Sequence, residues 1–148
     1  MARLYVCDTN GVIDYFHEVF DRGCNLSAKT RAIFSDALCS RGTDVRISVP
    51  AVVFVEIFEK WCRSEEFARK FLYEVYRRMA DSPNIEIRPL DREVLECTID
   101  IGGNLANHEM HDKLILGAAI ALKCVLISSD TKIRDYVDET HVIPGVIY

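Results

Sequence analysis

Leu4-Tyr5-Val6-Cys7-Asp8-Thr9-Asn10-Gly11-Val12-Ile13 passes from one kind of local structure to another within ten residues. Leu4 to Val6 is a short apolar run ended by Cys7-Asp8. Val12, Ile13 and Phe16 then recur at helical spacing, which predicts a helix starting just after Asn10-Gly11. The strand-then-helix unit recurs downstream. Ala28 to Leu38 has helical spacing, and Val45 to Val49 is a β-branched strand. Pro50 follows where proline suits a first helical turn, ahead of the apolar helix carrying Val52, Val53, Val55, Ile57 and Phe58. Glu65 to Met79 predicts a helix with Phe67, Phe71, Leu72, Val75 and Met79 as its apolar stripe. Ile85 to Ile87 reads as a strand, and Asp91 to Ile101 as a helix capped by Asp91 and ended by Gly102-Gly103. Asn107 to Lys123 is the strongest helix, Val125 to Ile127 a fully apolar strand, Ser128-Ser129-Asp130 the opening of a short helix, and His141 to Val146 the last strand. Strands alternating with helices imply α/β architecture: a three-layer α/β/α fold with a central parallel sheet. Ligands of such sheets bind beyond the carboxyl ends of the strands.

The chain has 148 residues, 49% hydrophobic and 28% charged, with seven Gly and four Pro, a composition that excludes disordered, collagen-like and coiled-coil classes. Residues 1–148 are expected to form a single domain. The longest stretch with little charge, Leu114 to Ile127, is broken by Lys123 and is shorter than the roughly 20 residues of a membrane span. Asp8 arrives before any signal-peptide apolar region develops, so we expect a cytoplasmic protein with no membrane partner. Six cysteines without a Cys-x-x-Cys pair read as buried, reduced thiols. The net charge of −5 argues against polyanion binding through overall charge, so a nucleic-acid partner requires a local basic surface, a metal, or both.

Four acids are candidates for chemistry. Asp8 follows the first strand, Asp130 follows the Val125 to Ile127 strand, Asp112 lies in the opening turn of the long helix, and Glu56 sits six residues beyond Pro50. Each has an ordinary structural explanation: Asp8 as a helix cap, Asp112 and Asp130 at positive helix ends, Glu56 on a solvated face. Glu56 fits its explanation least well, because Val52 to Phe58 leaves no clear polar side and a buried carboxylate needs a partner. Converging carboxylates repel, and no lysine or arginine lies in the immediate Asp8 or Glu56 motifs. A hard divalent cation resolves that conflict, since Mg2+ and Mn2+ favour carboxylate and water oxygens. Phosphodiester hydrolysis uses such a cluster, the cation activating water and offsetting charge at phosphorus.

Tyr5-Val6-Cys7-Asp8-Thr9-Asn10-Gly11-Val12-Ile13, Ile47-Ser48-Val49-Pro50 running to Glu56, His111-Asp112-Lys113-Leu114-Ile115 with Ala118-Ala119, and Ser128-Ser129-Asp130 together resemble the ordered motifs of PIN-domain nucleases. The similarity extends over nearly the whole chain and is closest to the small VapC-like toxin ribonucleases. It implies a PIN-like fold and a Mg2+- or Mn2+-dependent endoribonuclease, with Asp8, Glu56, Asp112 and Asp130 around the metal. By the same likeness Asn10 and Ser128 hydrogen-bond the acids or a metal-bound water, RNA is the substrate, and the protein is either the toxin of a toxin-antitoxin pair with an antitoxin partner or a stand-alone nuclease. Val55, the Ile57-Phe58-Glu59-Lys60 segment and the long Phe16 to Asp44 region depart from the toxin pattern.

His108 and His111 flank the start of the long helix without zinc-site spacing and read as polar helix-end residues. Lys60 and Arg63, with Arg69, Lys70, Arg77 and Arg78, are the candidate phosphate-backbone contacts, although Glu65, Glu66 and Glu74 interleave as on a solvated helix face. Trp61, Phe67, Phe71, Tyr73 and Tyr76 read as core or as the surface of a homodimer. Three other functions compete, one of them a receiver domain, which needs an acidic pair at the first strand end where only Asp8 stands. Asp8 to Ile13 also resembles the first motif of haloacid-dehalogenase-like phosphatases, but Asn10 stands where that chemistry needs a general acid. A non-catalytic RNA- or protein-binding module on the same fold would be expected to have lost one or more of the acids.

Overall fold

The computed structural model describes residues 2–39 and 41–148; Met1, where the reading of the N-terminal segment begins, lies outside the described residues. Among the described residues the strands are β1 (Arg3–Cys7), β2 (Val45–Pro50), β3 (Ile85–Arg88), β4 (Val125–Ile127) and β5 (Val146–Ile147). They form one parallel sheet in the order β3-β2-β1-β4-β5. Tyr5 pairs with Ile47 on one side and Val125 on the other, and Cys7 with Ile127. Val6, Ile47, Val49, Leu126 and Ile127 have no exposed surface, as expected of strands covered on both faces.

The helices are α1 (Thr9–Tyr15), α2 (Ala28–Cys39), α3 (Ala51–Lys60), α4 (Glu65–Phe71), α5 (Arg77–Ala80), α6 (Arg92–Ile99), α7 (Met110–Leu122) and α8 (Thr131–Thr140). A π-helical turn, Leu72–Tyr76, joins α4 to α5, so the helix predicted over Glu65 to Met79 runs on with one widened turn, and Phe71, Val75 and Met79 stay fully buried. With α2 against β2, α7 against β1 and α6 along α7, the arrangement is the three-layer α/β/α fold expected. The order reverses beside β1: successive strands run outward through β2 and β3 on one side, then through β4 and β5 on the other. The crevice at the carboxyl ends of β1 and β4 is therefore the topological switch point, where such sheets hold ligands.

Element boundaries differ from the expectations in instructive ways. α1 begins at Thr9 because the Asp8 side chain caps it, accepting the Gly11 N–H at 2.8 Å, so Gly11 lies inside the helix. Pro50 ends β2 and precedes α3 in extended geometry (φ −58°, ψ 139°) rather than occupying its first turn. α6 stops at Ile99, and a 3₁₀ turn, Gly103–Leu105, intervenes before α7, which starts at Met110. α8 runs to Thr140 and is ended by His141 in the left-handed region (φ 55°), which shortens the last strand to Val146–Ile147. The cysteines are all unpaired, but only Cys7 and Cys124 are buried; Cys39 is exposed. No helix among the described residues is long and apolar enough to cross a membrane.

α7 carries Asp112 and is located by close packing on α6. A Cβ at Gly117 would lie 2.0 Å from the Thr98 hydroxyl oxygen, 3.2 Å from Thr98 Cβ and 3.1 Å from the Val94 carbonyl oxygen. That hydroxyl is itself bonded to the Val94 carbonyl at 2.7 Å. Alanine gains up to about 1 kcal/mol over glycine in a helix interior, but overpacking costs about 1–3 kcal/mol, and the backbone carbonyl cannot rotate away. We therefore expect Gly117→Ala to lower stability in urea titration, and Thr98→Ala in the same chain to restore part of the loss.

Candidate functional site

Asp8 and Asp130 both combine capping with a place at the switch point. One oxygen of Asp8 caps α1, and its backbone N–H donates to the Ile127 carbonyl at 3.0 Å, tying the end of β1 to β4. Asp130 Oδ1 caps α8 by accepting from the N–H groups of Lys132 and Ile133 at 2.9 and 3.1 Å. Its Oδ2 meets His108 Nε2 at 2.8 Å, and the same nitrogen lies 3.2 Å from Asp112 Oδ2. Capping and site formation are thus not alternatives, because a carboxylate has two oxygens.

Glu56 projects from α3 with only 6% of its surface exposed. Its partner is Lys60, one turn on, whose Nζ donates to Oε2 at 2.9 Å. The expectation that no cation serves the Glu56 motif is corrected here: the i,i+4 spacing places Lys60 beside it, and Glu109 Oε1 also lies 3.9 Å from that ammonium. Burial pushes the Glu56 carboxyl up, but the neighbouring Thr9 hydroxyl and the Lys60 ammonium outweigh it, leaving the carboxyl below its usual range. His111, 3.2 Å from Glu109 and 3.9 Å from Glu56, adds to this side of the site.

Asp8, Thr9, Asn10, Ile13, Glu56, Lys60, Trp61, Glu109 and Asp112 line a cavity of about 300 Å³. Asp130 adjoins it through His108. Ser128 is buried and accepts the Asp130 N–H at 3.1 Å, while its hydroxyl favours the ionised form of Asp8. Asn10 lines the cavity but is exposed, and no hydrogen bond joins it to an acid among the described residues. Arg63 is exposed, donates to the Lys60 carbonyl at 3.2 Å and does not line the cavity. Of the other basic residues, Arg69 pairs with Glu65, whereas Lys70 and Arg78 line a larger groove of about 850 Å³ between α1, α2 and the π-helical turn, remote from the acids.

At Asp8 and Asp112, unlike Glu56, the charged form is disfavoured. Burial, reinforced by Asp112 and Asp130, raises the Asp8 carboxyl from an ordinary 3.8 to about 7, despite the Gly11 and Ser128 contacts that favour its charge. Burial, then Asp130 and Glu109, also raise Asp112. The Thr9 hydroxyl, in a residue 7% exposed, serves the Glu56 carboxylate rather than Asp8 or Asp112. Oxygen-rich donors short of positive charge fit a hard divalent cation. Donor atoms of His108, Asp112 and Asp130 lie within 4.8 Å of one another, as do those of Glu56, Glu109 and His111.

No family model matches this sequence, and no curated protein matches it significantly. The likeness lies in the tertiary structure. A chain of VapBC2 from Rickettsia felis, solved bound to a DNA fragment from their promoter, matches with a TM-score of 0.62 at 15% identity over 97% of this chain and 96% of that one. FitAcB from Neisseria gonorrhoeae matches with a TM-score of 0.63 at 15% identity over 97% and 96% of the two chains. VapBC-5 from Mycobacterium tuberculosis, of the VapBC family of toxin-antitoxin systems, matches at 0.61 with 17% identity over 97% of each. The fold is that of a VapC-like PIN domain. At such identities the likeness is one of fold, so the chemistry of this PIN-like chain is argued from its own side chains.

Among those side chains, His108, His111, Lys60 and Trp61 are ones the sequence reading placed elsewhere. Lys60 was legible from its spacing to Glu56; His108 was not, because the non-helical turn before α7 decides where it points.

Two measurements test the electrostatics. A carboxyl whose folded value lies above its unfolded one stabilises the fold below the unfolded value and loses that contribution as pH rises through the folded one. Metal-free protein should therefore lose thermal stability between about pH 4 and 7 on account of Asp8. Asp8→Asn, which keeps the capping oxygen, should flatten that slope and match or exceed the wild-type melting temperature at pH 8; a drop of several degrees there would mean that the cap needs its charge. Lys60→Met should cost about 1–3 kcal/mol at pH 7 by urea titration, because Lys60 is half exposed but the Glu56 it leaves behind is buried.

Proposed function

We propose that residues 1–148 act as a single PIN-like nuclease domain, a divalent-metal-dependent endoribonuclease that hydrolyses RNA phosphodiester bonds. The observation that carries the reading is the meeting of Asp8, Glu56, Asp112 and Asp130 at the switch point of a PIN-like fold, with Asp8 destabilised as a carboxylate. Asp8, Asp112 and Asp130 would hold Mg2+ or Mn2+, with Glu56 at the far wall. The cation supplies positive charge against the phosphodiester and makes a neighbouring water a stronger nucleophile at neutral pH. Water adds to phosphorus, one ester P–O bond breaks, and the released ribose oxygen takes up a proton, leaving a hydroxyl on one strand end and a phosphate monoester on the other.

The chain's own residues do the rest. Asp8 and Asp130 are held by their helix caps, so their carboxylates lose little freedom on ligand binding. Ser128 fixes the turn that presents Asp130. Lys60 is the cation at the cavity wall best placed to meet a phosphate, and its exposed Nζ side leaves it free to exchange Glu56 for a backbone oxygen; Arg63 would extend that contact along α3. Asn10 sits at the mouth, where it can meet a nucleotide.

The neighbouring structures include toxin-antitoxin systems, and we propose the toxin role in the cytoplasm, with an antitoxin protein as partner. Val55, Phe58 and Tyr73, each about half exposed on α3 and the π-helical turn, offer an apolar surface for that partner or for a second copy in a homodimer.

The experiment is cleavage of a mixed structured RNA pool, and of single-stranded DNA, by purified protein in EDTA, Mg2+ or Mn2+, beside Asp112→Asn. Metal-dependent RNA cutting that falls by about 100-fold or more in the variant is expected, the scale of losing one charge-stabilising group. Folded protein that binds RNA without cutting it in either metal would make this a binding module instead.

A further inference from the structure

We propose that His108 is a ligand of the metal held by Asp112 and Asp130, and that this nitrogen donor makes the site bind Mn2+ in preference to Mg2+. The inference rests on the metal-dependent reading above and deepens it by naming which cation the centre takes.

Two observations carry it. His108 Nε2 lies 2.8 Å from Asp130 Oδ2 and 3.2 Å from Asp112 Oδ2. Adjacent donors of an octahedral ion with bonds of about 2.1 Å stand about 3 Å apart, so the spacing suits three ligands on one ion. The imidazole is also held rather than mobile, its side chain being 15% exposed. The turn that carries it is anchored by Leu105, which is fully buried, by the bond from His108 N–H to the Leu105 carbonyl at 3.0 Å, and by Lys113 Nζ donating to the Ala106 carbonyl at 3.1 Å. The same turn packs against α8, the helix that Asp130 caps, so both sides of the ligand set belong to one packed unit.

The chemical consequence follows from donor type. Mg2+ favours oxygen and retains its waters, whereas imidazole suits the later transition ions, and Mn2+ is the member of that series that shares the octahedral, oxygen-tolerant habit of Mg2+. A site of carboxylates alone has little to distinguish the two; one with an imidazole has.

The test uses the intact chain stripped of metal, with Mn2+ and Mg2+ as probes. Pulsed electron paramagnetic resonance of bound Mn2+ should show imidazole nitrogen coupling in wild type and in His111→Ala, and none in His108→Ala. Calorimetry should give Mn2+ affinity weakened about tenfold or more in His108→Ala, with Mg2+ affinity changed less than about twofold. His108→Asn and a melting curve for each variant separate loss of the ligand from loss of the fold: folded variants that bind Mn2+ without nitrogen coupling support the assignment. Mn2+ bound to wild type with no nitrogen coupling, coupling lost in His111→Ala instead, or equal weakening for both ions would overturn it while leaving the carboxylate reading intact. Failure of wild type to bind either ion would overturn both.

Discussion

The burial of Asp8 at the end of β1, with the charges of Asp112 and Asp130 beside it, is the constraint around which this structure is organised. Asp8 lies at the end of β1, Asp130 just past β4, Asp112 in the first turn of α7 and Glu56 inside α3, and all four come to one end of the sheet. Burial first, and the neighbouring carboxylates second, push Asp8 to about 7 and raise Asp112, so both carboxylates are held in place at an electrostatic cost. What opposes that cost is covalent and hydrogen-bonded geometry: two of the acids are helix caps, and the backbone of Asp8 is part of the β1–β4 ladder. Lys60 and His108 supply the nearby basic groups, one at each side.

That arrangement ties stability to chemistry. A carboxylate that caps a helix cannot swing away from the cluster without fraying the helix, so the positions of Asp8 and Asp130 are set by the folding of α1 and α8 themselves. The position of Asp112 is set from further away, by the close contact of Gly117 with Thr98 between α7 and α6. Another carboxylate, Asp14, is 2% exposed inside α1, accepts a hydrogen bond from the Tyr148 hydroxyl and lies 3.6 Å from Arg22. It joins α1 to the segment after β5, on the helix that Asp8 begins.

Much of the fold was legible in the chain's periodicity. The β-branched runs Val45 to Val49 and Val125 to Ile127 became buried parallel strands, and the stripe of Phe71, Val75 and Met79 became a buried helix face. Boundaries were less legible because they depend on caps: the side chain of Asp8 drew α1 back to Thr9, and the left-handed His141 ended α8 where a strand was expected to start. The four acids were legible because strand ends and helix starts fall at one rim of any parallel sheet. Lys60 beside Glu56 follows from helical spacing, though the reading assigned it to nucleic acid alone.

The sequence by itself determined the alternation of strands and helices, hence a parallel α/β sheet, and it determined that Asp8, Asp112 and Asp130 would emerge at its carboxyl end, because hydrophobic period and strand direction act within a few residues. Only the tertiary structure decided which strands flank β1, how deeply Glu56 is buried, and that His108 lies between two acids, one of them 22 residues away. Those outcomes depend on a 3₁₀ turn packed against α8 and on two helices meeting at a glycine. Such contacts join distant parts of the chain, and no local pattern encodes them.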